Sequence, residues 1–213
     1  EAYDFDTKIT KSMTLYAKWA EETTEPTDPT EWENPFDDVD KKDWFYESVK
    51  YTEENGLSDG IDATTFEPNR AITRGMLITV LWRAENQPVV DYLMTFGDVD
   101  ENAYYAEAIR WAASEQLVKG YSETKFAPDQ LITREEMAAI INRYADYKDM
   151  ESMQAGDLSQ FNDTARISPW ATENVRWAVG NGILSGKSNG ILDPQGNTTR
   201  AEIAVILQRL LEK

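Results

Sequence analysis

The chain repeats itself three times, and that repetition constrains its fold more than anything else in it. Phe36-Asp37-Asp38-Val39 returns as Phe96-Gly97-Asp98-Val99 and as Phe161-Asn162-Asp163-Thr164. An aromatic follows each: Trp44, Tyr104 and Trp170. From that aromatic the register is rigid. An aliphatic lies 13 residues on (Leu57, Leu117, Ile183), a glycine 16 on (Gly60, Gly120, Gly186) and Phe66, Phe126 or Leu192 22 on. A proline lies 24 on (Pro68, Pro128, Pro194) and an arginine 30 on (Arg74, Arg134, Arg200), each arginine preceded by threonine. The third copy has one extra residue between Phe161 and Trp170. A period near 60 residues is too long for a tetratricopeptide array, and each unit has too few core positions to fold well alone. The three units are therefore expected to share a core.

Within a unit the pattern reads helix, long loop, helix. Tyr105, Ala108, Ile109, Ala112 and Ala113 fall at helical spacing, as do Val175, Ala178 and Val179. Asn55-Gly56 and Asn181-Gly182 read as helix stops. The loop carries the glycine and proline, and the second helix starts at the threonine. Its apolar stripe runs through Leu77, Val80, Leu81 and Ala84, with equivalents at Met137, Ile140, Ile141 and at Ile203, Ile206, Leu207, Leu210. Residues 1–20 differ. Met13-Thr14-Leu15-Tyr16-Ala17-Lys18-Trp19 alternates like a strand, and residues 21–34 read as an acidic Thr/Pro linker. The expected organisation is 1–20, 21–34, then repeats at 35–91, 92–156 and 157–213. The fold class is mainly α, with a short β segment at the N-terminus.

Charge narrows the function. The 213 residues carry 39 acids against 21 Lys and Arg, a net of −18. Duplex DNA and anionic lipid are poor partners for such a surface, and an anionic ligand has to be caught by local cations. No run of 18 apolar residues occurs, so no membrane insertion is expected. With no Cys and no His, thiolate nucleophiles, Ser-His triads and nearly all zinc sites are excluded. Asp38-x-Asp40 and Asp98-x-Asp100-x-Asn102 invite a calcium reading. They lack the mid-loop glycine, however, and Val49 and Ile109 stand where a bidentate Glu belongs. No metal, cofactor or enzymatic activity is expected.

The repeat resembles the S-layer homology domain of bacterial cell-surface proteins. The residues that carry the likeness are the Phe-x-Asp-Val opening, the aromatic before helix one, the glycine, the Phe-x-Pro of the loop, and Ile132-Thr133-Arg134-Glu135-Glu136 with Thr199-Arg200-Ala201-Glu202. Ile72-Thr73-Arg74-Gly75-Met76 keeps Thr-Arg without the Glu, and Thr198 replaces the isoleucine in the third copy. The likeness covers roughly residues 35–213. Residues 3–20 look like the last strands of a Listeria–Bacteroides-type surface repeat. The resemblance implies a pseudo-threefold spindle with first helices in a central bundle and a monomeric, extracellular module at the cell wall or S-layer. It also implies grooves between repeats that bind secondary cell wall polysaccharide, often pyruvylated, or modified peptidoglycan. The alternative is a protein–protein or self-assembly module of a surface layer.

Arg74, Arg134 and Arg200 then become carbohydrate-binding candidates. A first-turn cation opposes the helix dipole and seeks an acceptor, either a nearby acid or a ligand carboxylate held together with free helix-start amides. Trp44, Tyr104 and Trp170 are either core residues or rings for a sugar face. Gly60, Gly120 and Gly186 provide positive φ or a tight turn, or else bare backbone for a sugar. Thr73, Thr133 with Glu136, and Thr199 with Glu202 read as helix caps. Asp38, Asp98 and Asp163 read as turn or cap acceptors.

Overall fold

Among the described residues, six α-helices carry the fold: α1 Tyr46–Glu54, α2 Arg74–Ala84, α3 Ala106–Ser114, α4 Arg134–Tyr147, α5 Thr172–Gly180 and α6 Arg200–Leu211. The computed structural model describes residues 32–150 and 155–212. The strands read in residues 3–20 lie outside the described residues. Among those described, extended pairing is confined to isolated bridges.

Each first helix ends on a Schellman motif, which accounts for the aliphatic 13 residues after the aromatic. Leu57, Leu117 and Ile183 donate their amides back to Thr52, Ala112 and Ala178 at 2.8–2.9 Å, and all three side chains are buried. The left-handed residue just before them is Gly56 in the first copy (φ 64°), Gly182 in the third (φ 69°), and Gln116 in the second (φ 60°).

The second helices start on their threonines. Thr133 and Thr199 make complete capping boxes with Glu136 and Glu202. Thr73 accepts the Met76 amide, at 3.2 Å, and Met76 has no carboxylate to return the bond.

Helix pairing crosses repeat boundaries. α3 packs on α2, α5 packs on α4, and α1 packs on α6, which closes the series. Backbone bonds follow the same cycle. Ile72 donates to Thr198, Ile132 to Ile72, and Thr198 to Ile132, at 2.9, 3.1 and 3.0 Å. Asn34–Lys213 accordingly forms one compact unit. Its core includes Trp111, Tyr144, Phe66, Phe126, Leu77 and Met137, all without appreciable exposure.

The joints differ in detail. A Cβ on Gly75 would stand 2.9 Å from the Tyr105 ring. At the matching place in α4, Glu135 is buried and accepts the Ser168 amide and hydroxyl at 2.9 and 2.7 Å. That contact ties down the segment where the third repeat carries its extra residue.

Candidate functional site

The loop between the two helices of each repeat is clamped by the aspartate of the Phe-x-Asp opening. Asp38 accepts the amides of Phe66 and Glu67, Asp98 those of Phe126 and Ala127, and Asp163 those of Leu192 and Asp193, at 2.7–2.9 Å. These are long-range clamps rather than the local turn acceptors read from sequence. They hold Glu67, Ala127 and Asp193 in the left-handed region (φ 57°, 60° and 54°), which is unusual for non-glycine residues. Burial pushes the Asp98 and Asp163 carboxyls up. The two amide bonds outweigh it and hold both below the ordinary carboxylate value.

The clamped loop presents carbonyls to the arginine of another repeat. Arg74 Nε donates to Phe126 O and Nη2 to Lys119 O, at 3.0 and 3.2 Å. Arg134 reaches Leu192 O and Ser185 O in the same way, at 2.9 and 2.6 Å. Arg200 reaches Phe66 O and Asp59 O, both at 2.6 Å. Arg74, Arg134 and Arg200 are only 5, 3 and 7% exposed. Burial lowers the pKa of Arg134 and Arg200, though an arginine stays charged near neutrality. Arg74 and Arg200 also lie over the Phe126 and Phe66 rings, 4.6 and 4.4 Å from guanidinium carbon to centroid. The third copy has Leu192 there instead, and Arg134 takes a carboxylate, Glu202, at 2.7 Å.

The acceptors that the arginines seek are thus mainly backbone carbonyls of the next repeat in the cycle. The helix-start amides are also occupied. Arg74 and Gly75 donate to Gln130 and Pro128, Arg134 and Glu135 to Gly196 and Pro194, and Arg200 and Ala201 to Arg70 and Pro68, at 2.8–2.9 Å. The expectation of free helix-start amides for a ligand is corrected: closure between repeats uses them.

Beside each arginine a groove opens, and each groove draws on all three repeats. One groove sets Tyr104 of repeat 2 and Arg200 of repeat 3 against Asp59, Gly60, Met76 and Arg83 of repeat 1. The second sets Trp170 and Arg74 against Lys119, Gly120, Tyr121, Glu136 and Arg143 of repeat 2. The third sets Trp44 and Arg134 against Ser185, Gly186, Lys187, Glu202 and Arg209 of repeat 3. Every arginine, aromatic and glycine singled out by spacing lines one of the three.

Trp44, Tyr104 and Trp170 are each more than half exposed, so they are available rings rather than core residues. Tyr51 and Trp177 are half-buried, and Trp111 is fully buried. Gly60, Gly120 and Gly186 do not have positive φ. A Cβ on Gly60 or Gly120 would lie 2.6 Å from the Phe36 or Phe96 ring, and one on Gly186 would collide with Phe161. The missing side chain lets the opening phenylalanine press against the loop, and it also keeps the turn tight, since a Cβ on Gly60 or Gly120 would lie 2.4 Å from Asp62 O or Ser122 O; the positive-φ reading is corrected and the tight-turn reading stands there.

Sequence reasoning missed a second arginine per groove. Arg83, Arg143 and Arg209 stand nine residues after Arg74, Arg134 and Arg200. Their anchors on the first-helix stop or loop are Leu57 O and Asp59 for Arg83, Leu117 O for Arg143, and Gly182 O and Ser185 for Arg209. The signal was a constant spacing. The grooves are consequently richer in cations than in acids, on a chain of net charge −18.

The fold and these grooves define a class: a triplicated helix–loop–helix module, closed on itself, with a mixed cation–aromatic cleft at each joint. The family description S-layer homology domain matches residues 35–75, 95–138 and 160–204, more than half of the chain. The chain belongs to that family. It is 32% identical over 183 residues to an amylopullulanase of Thermoanaerobacterium thermosulfurigenes, covering 86% of this chain and 10% of that one. It is 33% identical over 170 residues to the surface-layer 125 kDa protein of Lysinibacillus sphaericus, covering 78% and 14%. It is 28% identical over 163 residues to the cellulosome-anchoring protein of Acetivibrio thermocellus, covering 72% and 35%. The chain thus spans about a third or less of the length of these relatives. Among the described residues no helix is long and apolar enough to cross a membrane.

Proposed function

We propose that this chain tethers an exported protein non-covalently to the bacterial cell wall. It does so by binding an anionic secondary wall polysaccharide, or modified peptidoglycan, in the three grooves. The observation that carries the reading is local reversal of charge. An acidic protein gathers its arginines at three equivalent clefts and sets an exposed aromatic beside each. Pyranose C–H faces pack on rings, while a carboxylate such as a pyruvyl ketal suits arginine.

In this reading Trp44, Tyr104 and Trp170 take the sugar face, and Gly60, Gly120 and Gly186 keep the loop wall low. Arg74, Arg134 and Arg200 set the field from below, and Arg83, Arg143 and Arg209 meet the ligand from the half-exposed side. The module is a monomeric pseudo-threefold spindle at the cell surface, and residues 1–20 end a preceding surface repeat. Surface-layer and anchoring names among the relatives support the anchoring role, and the amylopullulanase match over a tenth of that enzyme fits a shared non-catalytic module. Three weak sites on one rigid body gain by avidity, on the order of 10²-fold where the polymer can span them.

Sedimentation with purified walls tests the proposal. The full chain is expected to pellet with intact walls and to stay in solution once the non-peptidoglycan polymer is chemically stripped. Pelleting unchanged by stripping sinks the polysaccharide reading, and self-association at micromolar concentration without walls favours a lattice-building module.

A further inference from the structure

The three grooves share one plan but differ in how far their cations are already neutralised. In the Tyr104 groove, Arg83 is paired with Asp59 at 2.8 Å. In the Trp44 groove, Arg134 is paired with Glu202 and Lys187 with Asp193, both at 2.7 Å. In the Trp170 groove, none of Arg74, Arg143 and Lys119 has a carboxylate oxygen within ion-pair distance among the described residues.

One side chain explains the difference between the Trp170 and Trp44 grooves. Glu136 and Glu202 hold equivalent places, and each gives one oxygen to its own cap amide, at 3.0 and 2.9 Å. The other oxygen of Glu202 takes Arg134. The other oxygen of Glu136 takes the Tyr121 hydroxyl instead. Gln130 fixes that hydroxyl by donating to it at 2.9 Å, and the Tyr121 ring lies 4.7 Å from the Arg74 guanidinium. The first and third repeats have Ile61 and Lys187 where Tyr121 stands.

We infer that the Trp170 groove is the carboxylate-selective site of this chain, and that Tyr121 makes it so by holding Glu136 off Arg74. An anionic sugar binds there first and most tightly, with its carboxylate between Arg74 and Arg143 and its apolar face on Trp170. Burial first, and then the Arg74 charge, lower the pKa of Arg143, so the two guanidiniums repel each other across the groove. A bound carboxylate relieves that repulsion and gains charge-assisted hydrogen bonds. Arg134 stands in the most complete copy of the motif, but its internal pair with Glu202 argues against its groove. Tyr121 is a positioning residue here. The inference rests on the grooves being the binding surface.

The test measures affinity of the full chain for purified wall polymer and for the same polymer with its carboxyls reduced. Thermal melting confirms that each variant is folded. Lys119 and Lys187 are exposed rim positions in two different grooves. Lys119→Glu is expected to lose about tenfold in affinity and Lys187→Glu about threefold at most. Tyr121→Phe is expected to weaken binding several-fold by releasing Glu136 onto Arg74, and the double variant Tyr121→Phe/Glu136→Gln to restore it. On carboxyl-reduced polymer these differences vanish. Equal losses from the two lysine reversals, or no effect of Tyr121→Phe, overturn the inference while leaving wall binding intact. Failure of the unaltered chain to bind the polymer at all overturns the functional reading itself.

Discussion

Thr198 places a hydroxyl at the centre of the ring, where the other two copies place isoleucine. The residue is fully buried and its Oγ1 has no hydrogen-bond partner among the described residues. A buried hydroxyl without a partner is destabilising, so Thr198→Val, which keeps the shape, should stabilise the protein by about 1 kcal/mol in urea denaturation. The substitution was visible in the sequence as a departure from the repeat. Its burial was not, because a threonine just before a helix cap looks like any surface threonine.

Asp98 presents the opposite case. Its two amide bonds fix the loop, and Asp98→Asn should cost about 1 kcal/mol by replacing an oxygen acceptor with an amide donor. Because the Asp98 and Asp163 pKa values are lowered in the fold, their contribution is present above the unfolded value near ~3.9 and is lost as pH falls through the folded value. The melting temperature should therefore drop below about pH 4, and the asparagine variant should show a shallower drop. Spacing marked these aspartates, but a carboxylate whose partners lie 28 to 30 residues away cannot be told from a turn acceptor without the fold.

At the scale of elements, the caps decide how firmly the second helices begin. Thr133→Ala removes one half of a reciprocal box and should cost about 1–2 kcal/mol, whereas Thr73→Ala removes a single bond and should cost about half as much. Thermal melts of the two variants compare them directly. Helix starts and stops were legible because Thr-x-x-Glu and Asn-Gly impose local geometry. The glycine in each loop was legible as a necessity and as a tight turn, but its φ was misread and the ring packed against it was missed. A left-handed backbone and a ring pressed against the chain both demand a missing Cβ, and only the position of Phe36, Phe96 or Phe161 separates them. The pairing of α3 with α2 rather than α4 was not legible either, since an apolar stripe shows that a face is covered and not what covers it.

For the molecule as a whole, the arginines act as latches between repeats. Arg200 ties the third repeat to the first through two carbonyls. A lysine offers a point charge on a flexible stem in place of a planar fork, so Arg200→Lys should cost about 2–3 kcal/mol in denaturant unfolding. Global and local charge also oppose each other. The net −18 slows approach of an anionic polymer, and modest salt screens that long-range repulsion more than the short contacts inside a groove. Under the proposed function, affinity for the wall polymer should therefore hold or rise as salt increases moderately, which titrations at two ionic strengths can check. The second arginines escaped notice because, on an amphipathic helix, a cation beside an apolar stripe looks like ordinary solvated surface.

Because every cleft borrows its ring, its loop and its deep guanidinium from different copies, the clefts are indivisible in this design. Excising one copy would dismantle all three clefts at a stroke. The smallest unit that recombination can shuffle between proteins with a cleft intact is the whole triplet.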